Sequence, residues 1–194
     1  MIGNDVIDLH LAERESNIHR KGFRDKLFLP HEKVMIEKAA HPELMLWLLW
    51  SCKEAAYKIV HRITRERKFA PRQFACYITP NTEAAGEVVY QQQRYYFQSQ
   101  RIGSGIHTLA AVTPALLRQL TAETHYHVKP GWQHLLPATE LFQKDEYGIP
   151  YIHNCYNGER WPVSVSHHGK YAGMVKLSGP SPKNIFFSPP EDIS

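Results

Sequence analysis

Three side chains in one apolar helical pattern could do chemistry together. Glu54 and Lys58 are four residues apart and Ser51 comes one turn before Glu54, so all three share one helix face. A carboxylate beside an ammonium can be a surface ion pair worth roughly 0.3–0.5 kcal/mol. Alternatively, the carboxylate holds a metal ion and the lysine binds a phosphate. The spacing alone leaves both interpretations open.

A second carboxylate belongs to a short segment at the beginning of the chain. The β-branched residues between Ile2 and Leu9 predict a strand that contains Asp5. An acid there is costly unless it faces water, pairs with a positive charge or binds a cation. Asp5 and Glu54 could together provide the one or two carboxylates that typically bind Mg²⁺ beside substrate phosphates.

A third candidate group is the segment SVSHHG. Strand alternation places Ser164 and Ser166 on one face, and His167 stands at the predicted strand end. These hydroxyl and imidazole groups could donate hydrogen bonds to phosphate oxygens. The alternative is a strand-end histidine whose hydrogen bonds are satisfied within the fold. A metal shared by His167 and His168 is not expected, because adjacent side chains point in different directions.

The surrounding sequence predicts the elements that must position these groups. Helical patterns begin at Pro30 and at Pro42, and a run of strands extends from Phe74 to Val112. A further helix is predicted from Ala115 to Thr124 and a strand pair from Trp161 to Leu177.

Two segments, GIHTLAAVTP and SHHGKYAGMVKLSGP, are weakly similar, which suggests two pseudo-equivalent halves. We predict a first half (residues 1–114), a second half (residues 115–180) and a flexible tail (residues 181–194).

Composition indicates a globular protein. Of the 194 residues, 43% are hydrophobic and 22% are charged, which excludes disorder of the whole chain. The net charge of +4 suits an acidic protein, a polyphosphate or nucleic acid about equally. Three cysteines without paired spacing indicate reduced, buried thiols, and the first residues lack a signal-peptide pattern. We expect a cytoplasmic protein that has neither a membrane nor a nucleic acid as its partner.

Together these motifs resemble the signatures of the 4′-phosphopantetheinyl transferase superfamily. GNDVIDL matches that family's G-x-D strand, and WSCKEAAYK matches its [FW]-[AS]-x-K-E-[AS]-x-x-K helix. LPHE is similar to its F-x-x-x-E stretch, YGIPYI to G-[KR]-P-x-[IL] and SVSHHG to S-x-S-H. The resemblance extends from Ile2 to about Leu177. It implies an α+β fold in which antiparallel sheets pack on a long helix.

The resemblance also implies a reaction, the transfer of 4′-phosphopantetheine from coenzyme A to a serine of an apo acyl or peptidyl carrier protein. It assigns Asp5 and Glu54 to Mg²⁺, Glu54 and Lys58 to catalysis, and Lys53, Lys58, Ser166 and His167 to coenzyme A. Glu54 would also take the proton from the serine hydroxyl. The alternative is a catalytically inactive module that binds coenzyme A or the carrier.

Two positions depart from the family pattern. One branch has a second acid two residues after the strand aspartate, where this chain has Ile7, so water is expected in place of a third protein ligand. Asp8 is a candidate outer-sphere helper. The lysine of G-[KR]-P, which resembles a contact to the ribose phosphate of coenzyme A, is Ile149 here. The basic residues that could replace it are Arg62, Arg65, Arg67, Lys68 and Arg72.

Motif order bears on assembly. G-x-D before S-x-S-H resembles the short, trimeric holo-acyl-carrier-protein synthase type, which serves fatty-acid synthesis. The longer, monomeric type similar to the surfactin-synthetase activator has S-x-S-H first. Because this chain has the short type's order but length enough for two halves, we predict a monomeric, circularly permuted pseudo-dimer. The alternative is a trimer with an inserted hairpin.

Overall fold

The computed structural model describes residues 1–82, 84–126 and 131–177. The helices are α1 (Leu9–Glu15), α2 (Phe23–Leu27), α3 (Pro30–Lys38), α4 (Pro42–Thr64) and α5 (Pro114–Leu117), with 3₁₀ turns at Pro71–Gln73 and Gln133–Leu135. The strands are β1 (Ile2–Asp8), β2 (Ala75–Ile78), β3 (Ala85–Tyr90), β4 (Gln93–Ile102), β5 (Gly105–Ala111), β6 (Leu120–Tyr126), β7 (Glu140–Lys144), β8 (Pro150–Asn154), β9 (Arg160–His168) and β10 (Tyr171–Leu177).

The strands form two antiparallel sheets of five with the same internal order. The first sheet runs β1-β5-β4-β3-β2 and the second runs β6-β10-β9-β8-β7. In each sheet the first strand pairs with the last, and the others follow in descending order. The predicted α+β fold with antiparallel sheets is therefore confirmed, and the repeated order agrees with two pseudo-equivalent halves.

The long helix α4 packs on the first sheet. It begins with Pro42 in its first turn, where a missing N–H costs nothing, and ends at Arg65 in the left-handed conformation, with φ 65°. Leu46, Leu49 and Ile59 are fully buried on its sheet-facing side. Across the described residues, neither α4 nor another helix is long and apolar enough to cross a membrane.

The second sheet is covered more sparsely. Of the residues between β6 and β7 that the structure describes, only the 3₁₀ turn Gln133–Leu135 is helical. Trp132 and Leu136 flank this turn and pack against the buried Ile152 and Met174. The second half thus has no long helix comparable to α4 within the described residues, so α4 carries the helical part of the site.

The predicted helix from Ala115 to Thr124 is wrong. Helix α5 ends at Leu117, and β6 follows and pairs along its whole length with β10. Ladder hydrogen bonds to a non-local strand outweigh a weak helical pattern, and β-branched Thr124 suits a strand. The expectation of buried thiols holds for Cys52 and Cys76, whereas Cys155 is exposed. The predicted tail, residues 181–194, lies outside the described residues.

Candidate active site

The first strand meets the long helix at Gly3. A Cβ on Gly3 would lie 2.1 Å from the carbonyl oxygen of Ala55, so only glycine lets α4 approach β1 this closely. Side chains alternate along a strand, so Asp5 faces the helix on the same side as Gly3. The close approach therefore brings the Asp5 carboxyl against the face of α4 that has Glu54 and Lys58.

We expect Gly3→Ala to move α4 away from β1. The new methyl group must displace backbone rather than a flexible side chain, which costs about 1–3 kcal/mol. The transfer activity that the family resemblance implies should also fall per folded molecule, because Asp5 and Glu54 separate. Thermal unfolding and single-turnover rates measured on the folded fraction test both effects.

Gly86→Ala is the matched control. Its Cβ would lie 2.1 Å from the carbonyl oxygen of Tyr77, an equal clash within the first sheet but on strands remote from Asp5. It should lower stability similarly and leave the rate of the folded enzyme unchanged. Equal rate losses in Gly3→Ala and Gly86→Ala would contradict a specific role for the close approach.

The two predicted metal ligands are brought together. Burial, followed by the negative charge of Asp5, raises the pKa of Glu54 from 4.5 to about 7, against the opposing effect of Lys58. Burial also raises the pKa of Asp5, whose side chain pairs with Lys58 and lies near Ser51. The charge of Asp5 thus disfavours ionisation of Glu54, and a cation between the two carboxylates would relieve this effect.

Lys58 lies between the two sheets. Its ammonium donates to the carbonyl oxygens of Asn4 at 2.7 Å and Val165 at 3.3 Å, and it lies 3.5 Å from Asp5 Oδ1. These three acceptors match the three hydrogens of an ammonium group. Lys58 therefore ties β1 to β9 and places a positive charge beside Asp5.

Ser166 reaches the same point from the second sheet. Its hydroxyl donates to Asp5 Oδ1 at 2.8 Å and accepts from the Val6 backbone N–H at 3.2 Å. The structure therefore brings four of the predicted site residues together. These are Asp5, Glu54, Lys58 and Ser166.

His167 is placed differently. Neighbouring strand residues point to opposite faces, so exposed His167 lies on the face of β9 opposite Ser166. It is His168 that contacts the first strand, where its Nδ1 accepts from the Asp8 backbone N–H at 2.9 Å. The alternation that put Ser164 and Ser166 on one face could have identified His168, which shares their parity.

Asp8 fixes the hairpin between β9 and β10 and begins α1. Its carboxylate accepts from the backbone N–H groups of His10 and Lys170, both at 3.2 Å. Partial burial acts to raise the pKa of Asp8, but these backbone donors outweigh it and the pKa is lowered. Asp5 and Asp8 are three residues apart on β1, so their side chains point to opposite faces of the strand. Asp8 therefore stabilises the hairpin and does not contact the Asp5–Glu54 pair.

Lys53 is not brought to the cluster. Its ammonium is fully buried and pairs with Glu32 Oε2 at 2.7 Å. It also donates to the carbonyl oxygens of Leu27 at 3.1 Å and Pro71 at 3.0 Å. Glu32 is the glutamate of the predicted F-x-x-x-E stretch, so the two motifs meet in a buried ion pair behind the site.

A further polar network that the sequence did not reveal joins the halves. The side-chain oxygen of Asn4 accepts from Ser164 at 2.7 Å, and its nitrogen lies 3.1 Å from His107 Nε2. His107 Nδ1 lies 2.8 Å from Thr124 Oγ1. Burial, then the nearby charge of Lys58, lowers the pKa of His107 to about 4, so the ring is neutral at pH 7. The network assigns its proton to Nδ1.

Arginines after α4 contact the segment that has Ile149 in place of a lysine. Arg67 Nε donates to the Tyr147 carbonyl at 3.1 Å, and its guanidinium occupies the space where a Cβ on Gly148 would lie. The Arg65 guanidinium lies 4.7 Å from the centre of the Tyr147 ring. Ile149 itself is buried. Exposed positive charge near this segment thus comes from α4 and the residues after it.

The donor set suits Mg²⁺ better than a metal with many protein ligands. Ile7, where a third acid would stand, is buried. Within residues 1–82, 84–126 and 131–177, no group of three or more His, Cys, Asp or Glu side chains could hold a metal ion. Two carboxylates suffice for Mg²⁺, which usually keeps several waters and binds substrate phosphates. Asp5 and Glu54 therefore fit such an ion.

A family model described as the 4′-phosphopantetheinyl transferase superfamily matches residues 1–112. The matched range contains β1 and α4, and with them Asp5, Glu54 and Lys58 in the arrangement described above. The chain belongs to this superfamily. Membership supports phosphopantetheinyl transfer as the class of reaction. Ser166 and His167 lie beyond the matched range, so their place in the site depends on the geometry of the second sheet.

Similar solved structures include the holo-[acyl-carrier-protein] synthase from Neisseria meningitidis. It is 16% identical, and the alignment covers 56% of this chain and 94% of that chain, with a TM-score of 0.47. A comparison with curated proteins found no match.

Proposed function

We propose that this 4′-phosphopantetheinyl transferase superfamily member transfers 4′-phosphopantetheine from coenzyme A to a serine of an apo acyl or peptidyl carrier protein, with Mg²⁺. The observation that carries this proposal is the convergence of Asp5, Glu54 and Lys58 at one buried junction, with Ser166 opposite. Phosphoryl transfer is catalysed mainly by positioning and by cations that stabilise charge on phosphate oxygens.

This proposal gives each site residue a role in binding the metal ion or coenzyme A. Asp5 and Glu54 would hold Mg²⁺, which supplies positive charge to the pyrophosphate oxygens. Lys58, whose side chain is partly exposed beside Asp5, would contact a phosphate oxygen. Ser166 and, from the opposite face, His167 are proposed for the nucleotide end of coenzyme A.

The proposed transfer forms one P–O bond and breaks another. The carrier serine oxygen bonds to the phosphorus next to the pantetheine arm, and the pyrophosphate P–O bond breaks to release the nucleotide. Glu54, directly or through water, takes the proton from the serine hydroxyl. The raised pKa of Glu54 is that of the metal-free protein, and bound Mg²⁺ would lower it and keep the carboxylate ionised and able to accept the proton.

We infer the assembly from the same contacts. Ser166 of the second half reaches Asp5 of the first half within one chain, which supports a monomeric pseudo-dimer with halves at residues 1–114 and 115–180. A monomer mass by light scattering is expected, and a trimer would contradict the proposal. A cytoplasmic location is proposed as well.

Intact-mass spectrometry of apo carrier proteins tests the reaction. Apo acyl carrier protein from fatty-acid synthesis and a peptidyl carrier domain are incubated with coenzyme A, Mg²⁺ and the protein. The expected result is a gain equal to the phosphopantetheine group, lost when a chelator is added. Binding of coenzyme A without a mass gain on any carrier would favour the inactive binding module instead.

Arg67 is proposed to replace the missing lysine at Ile149. Arg67→Met should raise the KM for coenzyme A about tenfold or more, because a charge-assisted phosphate contact is worth about 1.5–3 kcal/mol. The KM for dephospho-coenzyme A, which lacks the ribose phosphate, should change little. Arg118→Met, at an exposed position away from this segment, is the control. Equal changes for both substrates would remove the assignment.

A further inference from the structure

One side of β9 extends beyond its partner strand. β8 pairs with β9 only from Arg160 to Pro162, whereas β9 continues to His168. Among the described residues, Val163 and Val165 therefore have no strand partner on that side. A backbone carbonyl that is buried without a donor costs free energy, so a donor is needed from elsewhere.

Helix α4 provides these donors. Arg62 Nη2 donates to the carbonyl oxygens of Val163 at 2.7 Å and Pro150 at 3.1 Å, and Lys58 donates to Val165 at 3.3 Å. Four residues along a helix rise about 6 Å. Two residues along a strand rise about 6.8 Å. Because these repeats nearly match, Lys58 and Arg62 together take the place of a neighbouring strand.

The guanidinium of Arg62 is largely buried against these carbonyl oxygens. Burial lowers its pKa to about 10, against the opposing effect of Asp145, so it remains charged at neutral pH. Its Nε is buried with no hydrogen-bond partner in the part of the chain that the structure describes. Arg65 is exposed, in contrast, so Arg62 and Arg65 face different environments.

We propose that Arg62 is a positioning residue that holds β9 where Ser166 meets Asp5, and that it does not contact the substrate. Ser166 lies three residues beyond Val163 on the same strand, so a shift of β9 carries its hydroxyl away from Asp5. A misplacement of about 1 Å can cost about 10²-fold in rate. The inference rests on the proposed function for its kinetic consequence, but not for its structural one.

Hydrogen exchange tests the structural consequence without any activity. Arg62→Met should accelerate amide exchange in residues 160–168 and leave the β3–β4 hairpin unchanged. Arg62→Lys provides an ammonium that can donate but lacks the planar fork of a guanidinium. Its amide exchange rates in residues 160–168 should lie between those of wild type and those of Arg62→Met. Arg118→Met should match the wild type. If Arg62→Met does not fold, the comparison of Arg62→Lys with wild type decides, and unchanged exchange in residues 160–168 overturns the proposal.

A double-mutant cycle tests the kinetic consequence. Arg62→Met should lower kcat about 10–100-fold, and adding Ser166→Ala to it should cost much less than Ser166→Ala alone, because Ser166 is already displaced. Additive effects would contradict the positioning role, and a rise in the KM for coenzyme A with unchanged kcat would show that Arg62 binds the substrate. If the wild type transfers nothing, the proposed function fails, and hydrogen exchange still decides the role of Arg62.

Discussion

Replacing Glu54 by glutamine should abolish transfer while making the metal-free protein more stable at pH 8. Loss of a general base costs about 10²–10⁴-fold in rate, and loss of one of two metal carboxylates adds to it. The stability gain follows from the raised pKa of Glu54, from 4.5 to about 7. Stability from a carboxyl with a raised pKa is present below pH 4.5 and is lost as the pH rises through about 7.

The size of that stability effect can be bounded. A shift of this size corresponds to at most about 3.5 kcal/mol, since one pKa unit is about 1.4 kcal/mol. Glutamine stays neutral, so Glu54→Gln should not lose this stability and should unfold at a temperature roughly 5–10 °C above wild type at pH 8 without metal. At pH 4 the two proteins should unfold at similar temperatures.

Divalent metal should reverse the order. Added Mg²⁺ should stabilise wild type more at pH 8 than at pH 5, because the cation competes with the proton for Asp5 and Glu54. It should stabilise Glu54→Gln much less. Glu37→Gln, at an exposed position of α3, is the control and should behave as wild type. A Glu54→Gln protein that is less stable than wild type at pH 8 without metal would contradict the acid-pair geometry.

Breaking the buried pair between Lys53 and Glu32 should have the largest effect on stability. Both side chains are fully inaccessible to solvent, and Glu32 also accepts from the backbone N–H groups of Leu29 and Cys76. Lys53→Met leaves that carboxylate buried without its counter-ion, which costs about 3–5 kcal/mol. Thermal unfolding should therefore begin roughly 10 °C lower.

Two further variants distinguish the effect of breaking the buried ion pair from the effect of merely shortening a side chain. Lys33→Met breaks the more exposed pair with Asp25 and should cost less than about 1 kcal/mol. Glu32→Gln combined with Lys53→Met should recover part of the loss, because the remaining buried group is neutral. Below the unfolding temperature, Lys53→Met should keep the wild-type KM for coenzyme A. A raised KM for coenzyme A in the folded protein would show that Lys53 does contribute to coenzyme A binding.

The sequence by itself was enough to predict the helix face with Glu54 and Lys58 and the strand with Asp5. Those predictions depend on local periodicity and on residue type, which a single chain segment contains. Pro42 likewise marked the beginning of α4, because proline fits the first turn of a helix. The α+β class followed from the family resemblance.

Only the tertiary structure decided which groups meet. Lys53 and Glu54 are neighbours in the sequence, yet one is sealed against Glu32 and the other faces Asp5. Their environments depend on which distant elements pack on each side of α4. Similarly, β6 is a strand because β10 lies beside it, and non-local pairing of this kind outweighs local propensity. His168 rather than His167 contacts β1 for the same reason, since the face of β9 that meets β1 is set by packing between the two sheets.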